Sequence, residues 1–360
     1  MMVDWRRSDG EGRACYLSQE FGIPGLFPAW RRSFPFLILG DEIIFFENLI
    51  YYRDNKGTLY AADLESGKDV WQAQSPQHST IFFEADEEQI LVASAVFSKE
   101  HQKLLYDFRL GNIPYTRRAF ETLVSGGALR EVDRDSRPGE CLYYEADKNK
   151  TEIVSLNIMD IMSYDNGRSL LGVRGEHVVS FDWKNKRDRW IVRPFGNISL
   201  LNIKQSVYVT KSYVYVMNLD GNTVVKIGRD DGNIIALFDL NGVDIKLDEH
   251  RIQQCIFSDD TFHIRTIGLF LSFDSSSGSC TWKKELDSSL KFCGAGDIIF
   301  GLLNNKTVVG WDRYTGDELW YISQEDLNLL YIKPSRRHVI VGSEEGVMLC
   351  YKWSTPYQSA

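Results

Sequence analysis

Apolar residues in this chain fall in short runs, many of them alternating with polar ones, and the runs are broken by Gly, Asp, Asn and Ser. Val207-Tyr208-Val209-Thr210 and Tyr213-Val214-Tyr215-Val216-Met217 are typical. β-branched and aromatic side chains placed two apart share one face of a pleated strand, so each run predicts a short strand. Helical periodicity is scarce, and the chain is predicted to be all-β.

The runs are organised by a recurring phrase. A strand ends in Asp, Gly follows four residues later, and an aromatic follows after four more. It reads Asp63, Gly67, Trp71; then Asp274, Gly278, Trp282; then Asp312, Gly316, Trp320. Each residue type has a physical reason to be there. The Asp carboxylate accepts backbone N–H groups of the turn. Gly supplies the positive φ that closes the hairpin. The aromatic stands on one face of the outgoing strand, where it can cover a neighbouring sheet. A single hairpin of this kind is only marginally stable in water, so the repetition itself predicts a stacked fold.

Weaker copies run from Asp107 through Gly111 to Tyr115, and through Gly232, where the aromatic is lost at Ala236. The turn glycines 67, 111, 232, 278 and 316 are then spaced by 44, 121, 46 and 38 residues. The long step must contain further units. Asp182 stands eight residues before Trp190 and mimics the phrase, yet a turn there is expected to leave too few residues after the strand Thr151 to Asn157 for two more strands. Trp190 to Asn197, with its turn at Gly196, is taken instead, and a degenerate unit is placed on Cys141–Ala146 and Thr151–Asn157.

Division of 360 residues by eight gives 45 per unit, the length of a four-stranded propeller blade. The expected fold is an eight-bladed β-propeller of four-stranded antiparallel blades in one domain over residues 1–360, with seven blades as the alternative. The last unit runs out of chain after three strands, near Leu329–Ile332, His338–Gly342 and Val347–Tyr351. Gly12 to Tyr16 repeats the Gly-to-aromatic half of the phrase, so this N-terminal strand is expected to complete the last blade and remove its open edge. Residues 1–33 are then closing strand and connector, and residues 34–360 the blades.

Leu59-Tyr60-Ala61-Ala62-Asp63 with Gly67 and Trp71 resembles the repeat of the quinoprotein-dehydrogenase-like propellers, the PQQ-like repeat family. The resemblance implies tryptophans locking neighbouring sheets, a role for Trp71, Trp282 and Trp320, with Tyr115 and Tyr16 as substitutes. Quinone-binding members of that family carry an adjacent cysteine pair over the cofactor, beside a calcium site. Here Cys15, Cys141, Cys255, Cys280, Cys293 and Cys350 are scattered, so no cofactor is expected and the cysteines read as reduced thiols.

A net charge of −9 and a pI near 5.3 oppose general nucleic-acid binding and favour a basic protein partner. The start from Met1 to Asp9 lacks the apolar core of an export signal, and no apolar stretch reaches the length of a membrane span; a cytoplasmic location is expected. The histidines His78, His101, His177, His250, His263 and His338 make no ligand pair, and Asp133 to Glu140 has arginines and a proline inside what would otherwise suggest a calcium loop. No nucleophile elbow, phosphate loop or dinucleotide fingerprint occurs.

Residues 18–35 are the non-repeat stretch richest in candidate binding residues. Phe27, Trp30, Arg31 and Arg32 are the candidate partner-binding residues there, against the plainer reading of a connector. The expected function is a non-enzymatic interaction scaffold, adaptor or inhibitor, one concrete form being an immunity protein that neutralises a toxin. An oxidoreductase of the PQQ-like type, or another enzyme with a funnel site, is the alternative.

Overall fold

A computed structural model describes residues 25–35, 38, 43–54, 56–74, 83–85, 89–92, 95–98, 103–107, 121–133, 137–165, 167–195, 207–218, 223–240, 254–266, 268–286, 291–335 and 337–354. They group into two compact units, one of Met1–Gln72 with Asn241–Ala360 and one of Ala73–Leu240.

The first unit opens with β1 (Gly25–Ser33) and a meander of β2 (Ile43–Phe46), β3 (Leu49–Arg53), β4 (Thr58–Asp63) and β5 (Asp69–Gln74). The second unit holds four meanders. These are β6 (Phe83–Ala85), β7 (Gln89–Val92), β8 (Ala95–Ser98) and β9 (Lys103–Asp107); β10 (Glu121–Val124), β11 (Gly127–Asp133), β12 (Arg137–Glu145) and β13 (Lys150–Ser155); β14 (Met159–Tyr164), β15 (Ser169–Arg174), β16 (His177–Asp182) and β17 (Arg187–Val192); and β18 (Val207–Val209), β19 (Tyr213–Met217), β20 (Thr223–Gly228) and β21 (Ile234–Asp239). The chain then returns to the first unit with β22 (Gln254–Phe257), β23 (Thr261–Arg265), β24 (Leu269–Asp274) and β25 (Cys280–Glu285), followed by β26 (Lys291–Ala295), β27 (Ile298–Leu303), β28 (Thr307–Asp312) and β29 (Glu318–Ser323). Last come β30 (Leu329–Pro334), β31 (His338–Ser343) and β32 (Val347–Ser354).

Every meander is a four-stranded sheet with neighbours in chain order, and the strand order β1-β32-β31-β30 is the exception. Each unit thus carries four antiparallel four-stranded blades of the propeller kind. The sequence pattern follows position within a blade. Inner strands such as β27 (Ile-Ile-Phe-Gly-Leu-Leu) and β31 are buried on both faces and read as continuous apolar runs. Outer strands such as β25 alternate between exposed and half-buried positions.

The closing strand differs from the expected one. Gly12 and Tyr16 lie outside the described residues. The strand that pairs with β32 is β1, antiparallel from Gly25↔Ser354 to Ser33↔Val347. Its sequence hid it: the Asp-to-Gly turn that marks a fourth strand elsewhere cannot precede β1, because its partner strand β32 comes from the far end of the chain. Pro28 is tolerated because β1 is an edge strand.

Register identifies β1 as a true fourth strand. In the outermost ladders one residue bulges just before the tryptophan: Arg189 before Trp190 opposite Ser180, Thr281 before Trp282 opposite Ser272, and Leu319 before Trp320 opposite Gly310. In β1 it is Ala29 before Trp30, opposite Cys350. A small residue stands across from each indole, which gives the ring room; at Gly310 a Cβ would lie 2.5 Å from the indole of Trp320.

The turn rejected between Asp182 and Trp190 is real. Asp182 Oδ1 accepts the Asn185 N–H at 2.8 Å, and Lys186 takes the left-handed conformation, φ 54°, where other copies place Gly. The preceding copy uses Asn149 at φ 47°, four residues after Glu145, in the same way. Both β14 and β15 fit before it, because only Leu156, Asn157 and Ile158 separate β13 from β14. Gly196 lies outside the described residues. The left-handed positions 149, 186, 232, 278 and 316 then step by 37, 46, 46 and 38 residues, and the interval that looked irregular disappears.

Candidate functional site

The repeat residues build interlocking turns. Asp63 Oδ1 accepts the Ser66 N–H and hydroxyl at 2.7 and 2.6 Å, and Asp312 Oδ1 accepts the N–H groups of Tyr314 and Thr315 at 2.8 and 2.9 Å. The Ser276 hydroxyl, helped by Ser277, holds the Asp274 carboxyl down at about 2. Gly67, Gly232, Gly278 and Gly316 have φ between 68° and 74°. Three of these glycines receive an indole from the neighbouring sheet. A Cβ would lie 2.6 Å from the ring of Trp30 at Gly67, 2.6 Å from Trp190 at Gly232 and 2.7 Å from Trp282 at Gly316. Each indole N–H donates to a carbonyl of the same turn: Trp30 to Leu64 at 2.9 Å, Trp190 to Arg229 at 2.9 Å and Trp282 to Arg313 at 3.0 Å.

Trp71 is buried in β5 beside Tyr51, and Trp320 is buried against Phe300. The indole N–H of Trp320 has no acceptor among the described residues. The blade it packs against is the one completed by β1, where the two outer strands, β1 and β32, are not consecutive in the chain. Asp107 ends β9, while Gly111 and Tyr115 lie outside the described residues.

The residues read as partner anchors in 18–35 are mostly committed to the fold. Trp30 occupies a lock position. Arg32 donates to both Asp69 oxygens at 2.6 and 2.8 Å and to the Gly67 carbonyl at 2.8 Å, and its guanidinium lies over Phe34, 4.8 Å from the ring centroid. Burial works to raise the Asp69 carboxyl, but its hydrogen bonds to Arg32 hold it below the usual range. Phe27 is half-buried, and Arg31 alone of the four is exposed.

Buried polar groups that periodicity does not reveal lie elsewhere. Glu121 and Arg130 form a buried pair at 3.1 Å; Glu131 Oε1 accepts the Asp160 N–H at 3.0 Å and Thr122 Oγ1 accepts the Ser163 N–H at 3.1 Å. The Glu131 and Thr122 bonds tie β11 and β10 to β14, so that carboxylate and that hydroxyl serve as acceptors for backbone groups, while the Glu121–Arg130 pair joins β10 to β11. The signal in the sequence was the Arg130-Glu131 pair inside an apolar strand. Among the described residues no group of His, Cys, Asp and Glu is arranged to hold a metal ion. The five described cysteines are free, and burial pushes the thiols of Cys141, Cys293 and Cys350 far up.

His263 is 1% exposed, with Nε2 3.2 Å from Thr261 Oγ1 and its ring beside Phe270 and Trp282. Burial, and then the charge of Arg313, hold it well below its ordinary 6.5. The folded chain therefore keeps it neutral while the unfolded chain binds a proton below pH 6.5. Stability is expected to be full above that pH and to fall by up to about 1.4 kcal/mol per unit below it. Urea unfolding between pH 7 and 5 checks this, and His263→Leu is expected to flatten that part of the acid limb.

Among the described residues the outer strands carry most of the exposed large apolar side chains. Val70, Ile153, Ile191 and Tyr321 are single cases on β5, β13, β17 and β29, whereas β21 exposes Ile234, Ile235 and Leu237 by 51, 54 and 61%. The register explains why β21 differs. Ala236 takes the place that Trp190, Trp282 and Trp320 hold in their ladders, opposite Lys226, with Ile235 bulged. Size has been exchanged across the pair: Lys226 is buried, its ammonium 3.9 Å from the centroid of the Tyr213 ring, and the outer strand bears the small residue.

No protein-family model matches the chain, and no curated protein sequence matches it. Among solved structures it is similar to the computationally designed Ika8 protein at 12% identity, over 89% of this chain and 98% of that one, with a TM-score of 0.57. It is also similar to BamB from Moraxella catarrhalis at 11% identity, over 93% of this chain and 98% of that one, with a TM-score of 0.49. At 12% identity the likeness to Ika8 is one of fold alone.

Proposed function

We propose that this chain is a non-enzymatic interaction scaffold built on four-stranded antiparallel blades of the PQQ-like repeat kind, and that it holds a basic protein partner in the cytoplasm. The observation that carries the reading is the distribution of exposed apolar side chains along outer strands, three of which, β5, β17 and β29, also bear a buried indole. A rigid sheet that presents apolar area loses little entropy on binding, which favours recognition of a macromolecule. The net charge of −9 supports a basic partner and disfavours nucleic acid. A toxin neutralised by an immunity protein is one concrete form of such a pair.

Affinity capture from the lysate of the source organism tests the reading. One protein retained in stoichiometric amount is the expected result. Failure to retain any, or visible absorbance and bound calcium in the purified protein, would overturn it in favour of the oxidoreductase.

A further inference from the structure

We propose that the outer edge of β21 is a docking site for an extended, apolar segment of a partner protein with basic residues at its ends, which joins the blade as a fifth strand. The inference rests on the scaffold reading above and names the surface and the chemistry.

Among the described residues β21 is the last strand of its sheet, so one side of its backbone has no strand beside it. Natural edge strands are guarded by charge or proline. Here β1 has Pro28, Arg31 and Arg32, β13 has Lys150 and Glu152, β17 has Arg187, Asp188 and Arg189, and β25 has Lys283, Lys284 and Glu285. In β21 the run Ile234-Ile235-Ala236-Leu237-Phe238 has no guard, and three of its five side chains are more than half exposed. Exposed apolar side chains on a sheet edge are an aggregation hazard, and a partner strand laid along β21 would cover Ile234, Ile235 and Leu237.

Charge decides the occupant. Asp239 ends the strand, and Asp230 and Asp231 stand in the turn before it, Asp230 paired with Arg189 at 2.9 Å. Two copies of β21 set antiparallel would bring the acidic end of each toward the acidic turn of the other. A strand with lysine or arginine at its ends meets the opposite charge at both.

A short fluorescent peptide alternating valine with threonine between lysine pairs, and its twin between glutamate pairs, are the probes. By anisotropy the lysine peptide is expected to bind the full chain at least about tenfold more tightly than its twin. Ile235→Lys with Leu237→Lys, and Leu237→Lys alone, should each weaken that binding while leaving the thermal melt unchanged. No binding, equal binding of the two peptides, or equal binding by the variants would overturn the proposal. A dimer in sedimentation that the double variant dissolves would assign the edge to a second copy instead. If the double variant still captures the lysate partner, the edge proposal fails and the scaffold reading stands; if neither chain captures one, the scaffold reading fails.

Discussion

Trp190→Ala is expected to destabilise the protein by about 3–5 kcal/mol, lowering the thermal midpoint by on the order of 10 °C. The indole is buried in an apolar cluster with Met162, Val178, Val214 and Val225, and its N–H donates to the Arg229 carbonyl of the adjacent turn. Truncation removes the packing and leaves a cavity between β17 and the turn after β20. It also orphans that carbonyl. Calorimetry checks the shift, and the loss of one buried tryptophan reports it in fluorescence.

Gly232→Ala attacks the same joint from the other side. The residue sits at φ 73°, and a Cβ there would come within 2.6 Å of the Trp190 ring. The left-handed backbone costs an alanine about 1–2 kcal/mol, and the clash adds about 1–3 kcal/mol, so a loss of about 2–5 kcal/mol is expected. Two comparisons separate the terms. Gly175 has φ 61° with nothing within 4 Å of a Cβ, so Gly175→Ala should show the backbone cost alone. In the Trp190→Ala background the clash is gone, and Gly232→Ala should fall to that same level. Equal costs of Gly232→Ala in both backgrounds, by urea denaturation, would show that the indole does not press on the turn.

These joints explain which parts of the protein were readable. Asp63, Gly67, Asp274, Gly278, Asp312 and Gly316 were legible because a hairpin turn is local: carboxylate, N–H donors and the left-handed residue all lie within five positions. Lys186 and Asn149 were missed because the turn needs a left-handed backbone and not glycine as such, and a non-glycine residue can occupy it at a modest cost. A pattern that requires Gly at this position therefore passes over the turn at Asp182.

The N-terminal strand failed for a different reason. Trp30 and Arg32 are a large aromatic and a cation in a segment without a turn phrase, which from sequence alone is the description of a binding anchor. Their partners Leu64, Gly67 and Asp69 are more than thirty residues away, and β32 is more than three hundred away.

Taken alone, the chain's order of residues determined that strands form, that they join in antiparallel four-stranded meanders, and that tight turns repeat with Asp at their start. Those properties depend on neighbours along the backbone. Tertiary structure decided which strand seals the last blade, that Trp30 serves the fold, and that among the described residues β21 is the outer strand with three apolar side chains more than half exposed. Each of these depends on what lies across a sheet or on the adjoining blade, and no periodicity in the sequence records that distance.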